Sequence, residues 1–285
     1  MIRAIIATIN NDATTLEQSA DKDLIAKVIQ QGGRRVWVDS ADADESERAW
    51  IAQTFDVPLA FLALDWTFFE NEPALLICLR SPIGKPDLPD TRWLPIIIVA
   101  KPDLLLTAHA TNLTLLDRVF SQAAQTSSDW KESTAPLLWN VVETVVEPTT
   151  ILHAEMLRRN HELTAQPPTL EMLEALYKLR VQAFSLRDKI ADHRRLLYEL
   201  QDYPPIGEHK SLKWLLEQRL ESLSTRHELT PMRVDSWSDR AALLASQQNA
   251  ALIEQSRQLY SLLRVALPTI ILLLIVLILV VLVRG

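Results

Sequence analysis

The sequence predicts an α+β protein in which an N-terminal α/β domain is followed by long helices and one C-terminal transmembrane helix. Three observations predict this. Strand-like and helix-like patterns alternate up to about residue 135. Strand signals then disappear, and apolar residues recur at the spacing of amphipathic helices. Finally, residues 265–283 contain no charged side chain.

The alternating region, residues 1–135, is expected to form one cytoplasmic α/β domain. Its pattern predicts strands at residues 4–9, 35–39, 74–80, 94–100 and 104–107, and helices at residues 16–31, 44–55 and 111–122. Gly32 and Gly33 mark the end of the first helix. Acidic residues fall in the first turn of the second, where the helix macrodipole favours them.

Long amphipathic helices are predicted over residues 136–230, at 137–165, 170–203 and about 208–229. Thr230 is a typical N-cap and Pro231 a typical first helical residue, so a separate helix is expected to start there. Residues 231–264 then form a stalk helix that continues into the apolar segment, with a total length of about 80 Å. A helix of this length needs partners, either in a bundle or from copies of the chain.

The apolar segment, residues 265–283, predicts a single transmembrane helix, because at 1.5 Å per residue it spans roughly 28 Å, close to the thickness of a bilayer core. Tyr260 and Arg264 before it and Arg284 after it suit the two membrane interfaces. Residues 1–9 do not resemble a signal peptide, so the N-terminal domain is expected in the cytoplasm, with the helix as a single-pass anchor in the cell (inner or plasma) membrane.

Composition excludes several function classes. The net charge of −7 gives no basic footprint for nucleic acid. Five glycines cannot supply a phosphate-binding GxGxxG or P-loop, and none of the six histidines has a metal-ligand partner at helical spacing. Asp188, Asp192 and His193 are interpreted as part of a solvated, ion-paired helix face. Because no catalytic constellation is visible, an enzyme is not predicted.

The order of these parts resembles the CorA-type magnesium transporters. Short stretches are similar to the family in the same order: residues 36–39 (VWVD), 55–60 (FDVPLA, where the family has F-G-x-H-P-L-A), 68–71 (FFEN), 104–107 (LLLT) and 235–239 (DSWSD). The resemblance covers nearly the whole chain and depends on the order and spacing of the stretches, because none of them is specific alone. It implies a homo-oligomer, a cyclic pentamer, with Mg²⁺ as the only implied cofactor.

Two acidic groups are candidates for metal binding. By resemblance, a carboxylate on the stalk and one in the α/β domain sense magnesium; Asp239 matches the first, and Asp87 or Asp90 lies near the second. As plain surface charges, these residues need no function. Asp39, Asp42, Asp44, Glu45 and Glu47 could hold a hard cation, but a strand end followed by a capped helix with an acidic first turn is the favoured interpretation.

The apolar segment departs from the family. The family's first membrane helix ends in Gly-Met-Asn, followed by an acidic loop and a second membrane helix, whereas residues 277–283 are aliphatic here and no Asn, Asp or Glu occurs beyond Glu254. Thr269 would be the only polar pore-lining ring. We therefore expect a divalent-cation transporter relative with reduced or no intrinsic conduction. The alternative function is a non-conducting, membrane-anchored metal sensor or scaffold. A separate partner subunit that supplies the second membrane helix is also left open.

Overall fold

A mixed seven-stranded sheet forms the centre of the N-terminal half. The computed structural model describes residues 1–10, 13–63, 68–71, 74–82, 93–110, 113–131, 133–165 and 169–284. Within them the strand order is β2-β1-β3-β7-β6-β5-β4. The strands are β1 (Ile2–Asn10), β2 (Ala13–Ser19), β3 (Arg35–Ala41), β4 (Phe68–Asn71), β5 (Leu75–Pro82), β6 (Trp93–Lys101) and β7 (Leu104–His109). Only β3 and β7 pair in parallel, and every other neighbouring pair is antiparallel.

Helices cover both faces of the sheet, because successive side chains of a strand point to opposite faces and the strands carry apolar side chains on both. On one face, Ile6 and Val38 pack with α1 (Lys22–Gln31) and α2 (Glu45–Phe55). On the other face, Ile5, Trp37 and Ile98 pack with the later helices. These are α3 (Thr114–Ala123), α4 (Ala135–Thr164), α5 (Leu170–Gln201), the short α6 (Pro204–Gly207) and α7 (Lys210–Arg284). The α+β class and the long helices are confirmed.

The first predicted helix, at residues 16–31, is wrong in its first part. Residues Ala13–Ser19 form β2, which pairs antiparallel with β1, and the helix begins only at Lys22. The side chain of Asp21 accepts hydrogen bonds from the backbone N–H groups of Asp23 and Leu24, so it caps the helix. Pairing with β1 overrides the helical spacing of Leu16, because strand formation depends strongly on its neighbours.

The predicted helix start at Thr230 and Pro231 is also wrong. One continuous helix, α7, runs from Lys210 to Arg284 through both residues. Thr230 is buried, and its hydroxyl donates to the carbonyl of Arg226 one turn earlier instead of capping a new helix. Val234 and Trp237 are buried against the bundle beyond the proline, so packing keeps the helix continuous despite the missing N–H.

Candidate functional site along the long helix

The candidate functional site is α7, whose surroundings change along its length. Its first part packs against the rest of the chain through side chains that recur at helical spacing, among them Leu212, Leu216, Leu220, Leu223, Val234 and Trp237. Leu243 is exposed and Leu244 is half-buried, and from Leu252 to Ile278 every large apolar side chain that the structure describes is exposed. The helix therefore has a first half that belongs to the subunit's core and a second half whose described apolar side chains are exposed.

The exposed half contains the apolar segment. Among the described residues, α7 is the one helix long and apolar enough to cross a membrane. Pro268 and Thr269 lie within its helical course, and the Thr269 hydroxyl donates to the carbonyl of Val265 at 2.8 Å. Since this hydroxyl is bonded to its own helix, it adds little polarity to the surface of the segment.

The interface candidates lie at the two ends of that segment. Tyr260 is 72% exposed, and Arg264 is exposed as well. Arg284 is the last residue of α7, and its side chain lies outside the description. Their placement at the two membrane interfaces stays a prediction.

The metal-sensing candidates are not brought together within the described residues. Asp239 is exposed on α7, beside Arg240, whose guanidinium donates to the carbonyl of Thr164 at the end of α4. Asp87 and Asp90 lie in 83–92, outside the described residues. No group of three or more His, Cys, Asp or Glu side chains that could hold a metal ion occurs in the part of the chain that the structure describes.

The acidic stretch from Asp39 to Glu47 has a structural role, as the favoured interpretation holds. Asp44 is the N-cap of α2 and accepts hydrogen bonds from the backbone N–H of Glu47 at 2.8 Å and the hydroxyl of Ser46 at 2.7 Å. The Ser46 hydroxyl, followed by the Glu47 N–H, lowers the pKa of Asp44. The Glu47 carboxylate is 3.2 Å from the Lys22 ammonium.

Asp39 is the buried member of that stretch. One carboxylate oxygen accepts from Thr107 at 2.5 Å and is 3.3 Å from Nε2 of His109, while the other accepts from Arg3. Burial alone would raise the pKa of Asp39, but the contacts with His109, Thr107 and Arg3 together hold it below its ordinary value. Trp37 donates its indole N–H to the Thr107 hydroxyl, which completes a buried network. This network fixes the sheet and offers no free carboxylate to a ligand.

The interpretation of His193 as part of a solvated face is wrong. His193 is 1% exposed and bridges two elements: the hydroxyl of Thr149 on α4 lies 3.0 Å from Nδ1, and the carbonyl of Arg80 on β5 lies 3.4 Å from Nε2. Asp188 and Asp192 do lie toward solvent. The signal that could have located His193 is its spacing from Leu186, Ile190 and Leu197, all buried on the same side of α5.

Sequence reasoning also missed the polar contacts between α4 and α7. Arg219 of α7 forms a bidentate ion pair with Glu143 of α4, with Nε 2.8 Å from Oε2. About two turns further along, Nη1 of Arg226 lies 3.3 Å from Nδ1 of His153. These contacts attach the start of α7 to the helix that covers the sheet.

The fold and the apolar helix define a class of protein: a mixed sheet flanked by helices, joined to a long helix that is able to enter a membrane. A family model described as CorA-like Mg²⁺ transporter protein matches residues 32–273. The chain therefore belongs to the CorA-like family of divalent-cation transporters, which are membrane proteins.

Solved structures agree with this fold at low sequence identity. The complete CorA magnesium transporter from Methanocaldococcus jannaschii matches with a TM-score of 0.70 at 16% identity, covering 91% of this chain and 82% of that one. The ZntB cytoplasmic domain from Vibrio parahaemolyticus matches with a TM-score of 0.65 at 11% identity, covering 85% of this chain and 98% of that one. Full-length CmaX gives a TM-score of 0.61 at 13% identity, with coverages of 91% and 80%. No curated protein matches the chain in sequence.

Proposed function

We propose that this chain is the subunit of a membrane-anchored homopentamer that conducts little or no Mg²⁺ through its own membrane segment. The observation that carries the proposal is the chemistry of residues 265–283, where Thr269 has the only polar side chain among aliphatic residues, one alanine and one proline. Its hydroxyl already donates to Val265. The segment thus offers almost no oxygen ligands.

Magnesium makes a demanding substrate for such a segment. The ion requires near-octahedral oxygen coordination and gives up its water reluctantly, so a pore must either keep it hydrated or replace its water with oxygen atoms. A ring of Val, Leu and Ile side chains does neither, and hydrophobic constrictions close by dewetting. A second subunit that supplies polar residues is the partner that would change this outcome.

Assembly into a pentamer is supported by the exposed half of α7. Leu243 and Leu259 are 57% and 61% exposed, and Leu244, Ala250, Ile253 and Leu263 complete the proposed inward-facing set. Apolar side chains on a long projecting helix are stabilised by packing against the same side chains of neighbouring copies. The proposed number of subunits, five, comes from the family resemblance.

The proposed topology follows from the same helix. The lipid bilayer surrounds residues 265–283, with Tyr260 and Arg264 at one interface and Arg284 at the other. Residues 231–264 form the stalk, and residues 1–135 and 136–230 form the cytoplasmic α/β domain and helical region, attached to the inner or plasma membrane by a single pass.

The second candidate function is a non-conducting metal sensor or scaffold. It is favoured by Asp239, which is exposed on the stalk where a cation or a neighbouring subunit can reach it. In this version Asp239, with Asp87 or Asp90, binds Mg²⁺ between subunits, and the bound ion changes how the stalks pack.

A flux assay on purified full-length protein tests the proposal. Liposomes that contain an Mg²⁺-sensitive dye should show no more Mg²⁺ entry with the protein than without it, while an added ionophore confirms that the dye responds. Mg²⁺ entry that saturates with concentration and falls in Thr269→Val would contradict the proposed lack of conduction. The mass of the protein in detergent tests the pentamer, and a stable monomer would exclude it.

The sensor function needs a separate test. Mg²⁺ should slow proteolysis of the wild-type protein, and Asp239→Asn should raise the Mg²⁺ concentration needed for this protection. Asp235→Asn is the matched control, since Asp235 is also exposed on α7, about one turn earlier. Equal effects of the two substitutions would remove Asp239 from the proposal.

A further inference from the structure

The side of α7 that faces away from its own chain carries a seven-residue repeat. Leu216, Leu223 and Trp237 lie at multiples of seven residues and are buried against the bundle. Two further rows repeat with the same spacing on the side turned toward solvent, and their members are exposed apart from one half-buried serine. The first row is Leu215, Ser222, Leu229, Ser236 and Leu243, and the second is Gln218, Thr225, Met232 and Asp239. We call these two rows the seam, because such a repeat is typical of helices that pack along one another.

The seam is apolar enough to be stabilised by cover. Met232 is 67% exposed, Leu243 57% and Leu229 39%. Serine, threonine and glutamine side chains alternate with these residues, so apolar burial alone does not select one partner surface. The charges beside the seam supply that selection.

Charged side chains of opposite sign border the seam. An arginine directly follows each member of the second row, and an acidic residue directly precedes three members of the first row. The arginines are Arg219, Arg226, Arg233 and Arg240, and the acidic residues are Glu221, Glu228 and Asp235. In coiled coils the residues at these two flanking positions form ion pairs between helices and thereby set the partner and its orientation.

The middle of this pattern is unpaired within the chain. Glu228, Arg233 and Asp235 are exposed, and none of them forms an ion pair in the described part of the chain. Arg240 uses Nη2 for the carbonyl of Thr164, which leaves the other N–H groups of its guanidinium as donors for a further contact. Both flanks therefore carry charges that a partner can compensate.

We propose that a second copy of this chain covers the seam, with the two α7 helices parallel and in register and Glu228 of one copy paired with Arg233 of the next. Each acidic residue lies five positions before an arginine, as Glu228 does before Arg233 and Asp235 before Arg240. This spacing fits parallel helices in register, because a residue on one flank then lies beside the opposite flank of the neighbour's next repeat. In a ring, every copy gives its acidic flank to one neighbour and its basic flank to the other.

The same charges disfavour the opposite arrangement. Antiparallel helices would place acidic flank against acidic flank and arginine against arginine, and both contacts repel. Parallel packing is also required of subunits that all enter one membrane from the same side. The inference rests on the proposed homo-oligomer and adds which faces meet, and it does not depend on the number of subunits or on ion conduction.

Charge reversal in the full-length protein in detergent tests the seam, with dissociation on dilution followed by mass photometry. Glu228→Arg puts two arginines together at each contact between copies, and Arg233→Glu puts two glutamates together. Each single variant should raise the protein concentration at which half of the oligomer dissociates by about tenfold, since like charges placed together are costly. The double variant restores opposite charges and should return to within about threefold of the wild type. Raising sodium chloride from about 0.05 M to about 0.5 M should reduce the differences, because exposed pairs are screened.

The controls separate the seam from total charge. Glu174→Arg and Lys178→Glu make the same changes of charge on the exposed surface of α5, and they should leave dissociation unchanged. Arg233→Lys keeps the charge and supplies an amine, so a zero-length carbodiimide should join it to Glu228 of the neighbouring copy. Adding Glu228→Gln should abolish that crosslink.

Circular dichroism checks that each variant keeps its helices. The proposal is overturned if the single variants dissociate no more readily than the controls, or if the double variant is no more stable than the single ones. Oligomers that are equally stable in every variant overturn the seam and leave the proposed assembly standing, whereas a monomeric wild type overturns both.

Discussion

Arg3 and Asp39 face each other across the antiparallel strands β1 and β3, and the guanidinium donates to one carboxylate oxygen from Nε at 3.0 Å and from Nη2 at 2.7 Å. Nη2 also donates to Asp117 on α3 at 2.5 Å, and the guanidinium lies 4.3 Å from the ring centroid of Phe120 on the same helix. One side chain therefore joins two strands to the helix above them. The parallel neighbour β7 is joined through Thr107.

Asp39→Ala should destabilise the protein strongly. The substitution removes the acceptor of the Thr107 hydroxyl and of the Arg3 Nε, so that Arg3 keeps only its hydrogen bond with Asp117, and removing one partner of a buried ion pair costs about 3–5 kcal/mol. Urea unfolding of the full-length protein, followed by circular dichroism, measures this loss. Asp103→Ala is the control, because Asp103 pairs with Arg35 but is 60% exposed, and such pairs contribute at most about 1 kcal/mol. Equal losses would show that the Asp39 network is not a main stabilising feature.

The ion pair between Glu143 and Arg219 should contribute measurable coupling between α4 and α7. Both side chains are mostly buried, at 31% and 19% exposed, and the contact is bidentate. A double-mutant cycle with Glu143→Gln and Arg219→Gln should give a coupling free energy of about 1 kcal/mol.

A second cycle on Glu162 and Arg158 provides the comparison. That pair lies within one helix and is 51% and 56% exposed, so its coupling should be about 0.3–0.5 kcal/mol and should fall with added salt. If the pair between helices couples no more strongly than this exposed pair, it does not hold α7 to α4.

Burial of His193 predicts a loss of stability in mild acid. Burial lowers its pKa to about 4, against the raising effects of the Arg80 carbonyl and Asp192, while Lys189 lowers it slightly further. The unfolded chain takes up this proton near pH 6.5, so the contribution of His193 to stability is complete above about pH 6.5 and is lost progressively toward pH 4, by about 3 kcal/mol in total.

The measurement compares urea unfolding of the wild type and His193→Gln between pH 8 and pH 5. The variant cannot take up the proton, so its stability should fall less steeply below about pH 6.5, and above about pH 7 the two proteins should share the same pH dependence. His153, whose pKa is also about 4, adds a similar slope to both proteins and does not alter the difference. Parallel curves over the whole range would mean that His193 is protonated in the folded protein.

Local patterns predicted most of the elements, and the failures have a common physical cause. Apolar runs located β3, β5, β6 and β7, and helical spacing located α4 and α5 almost to the residue. The errors at Leu16, Pro231 and His193 all concern residues whose surroundings come from another element: β1, the helical bundle and β5, respectively.

The same reason limits prediction of the sites. Prediction of the apolar segment depends only on its own composition, and the described part of α7 is long and apolar enough to cross a membrane. The contact of Arg3 with Asp39 depends on strand register, and that of His153 with Arg226 on helix packing, so neither has a signature in the linear sequence. The assignment of a sensing role to Asp239, Asp87 and Asp90 depends on alignment with a family, and it stays a prediction.

Insertion of the apolar segment into the membrane gives the last prediction. Leu274 lies near the middle of residues 265–283 and is 52% exposed, with no cover from its own chain. Leu274→Arg should lower the fraction of expressed protein that resists carbonate extraction from membranes, since a central arginine costs roughly 2.5–3.5 kcal/mol on insertion scales. Gln258→Arg introduces the same charge on α7 before the apolar segment, and it should leave extraction unchanged. Full resistance of Leu274→Arg to extraction would mean that position 274 does not lie against the hydrocarbon core, where an arginine is costly.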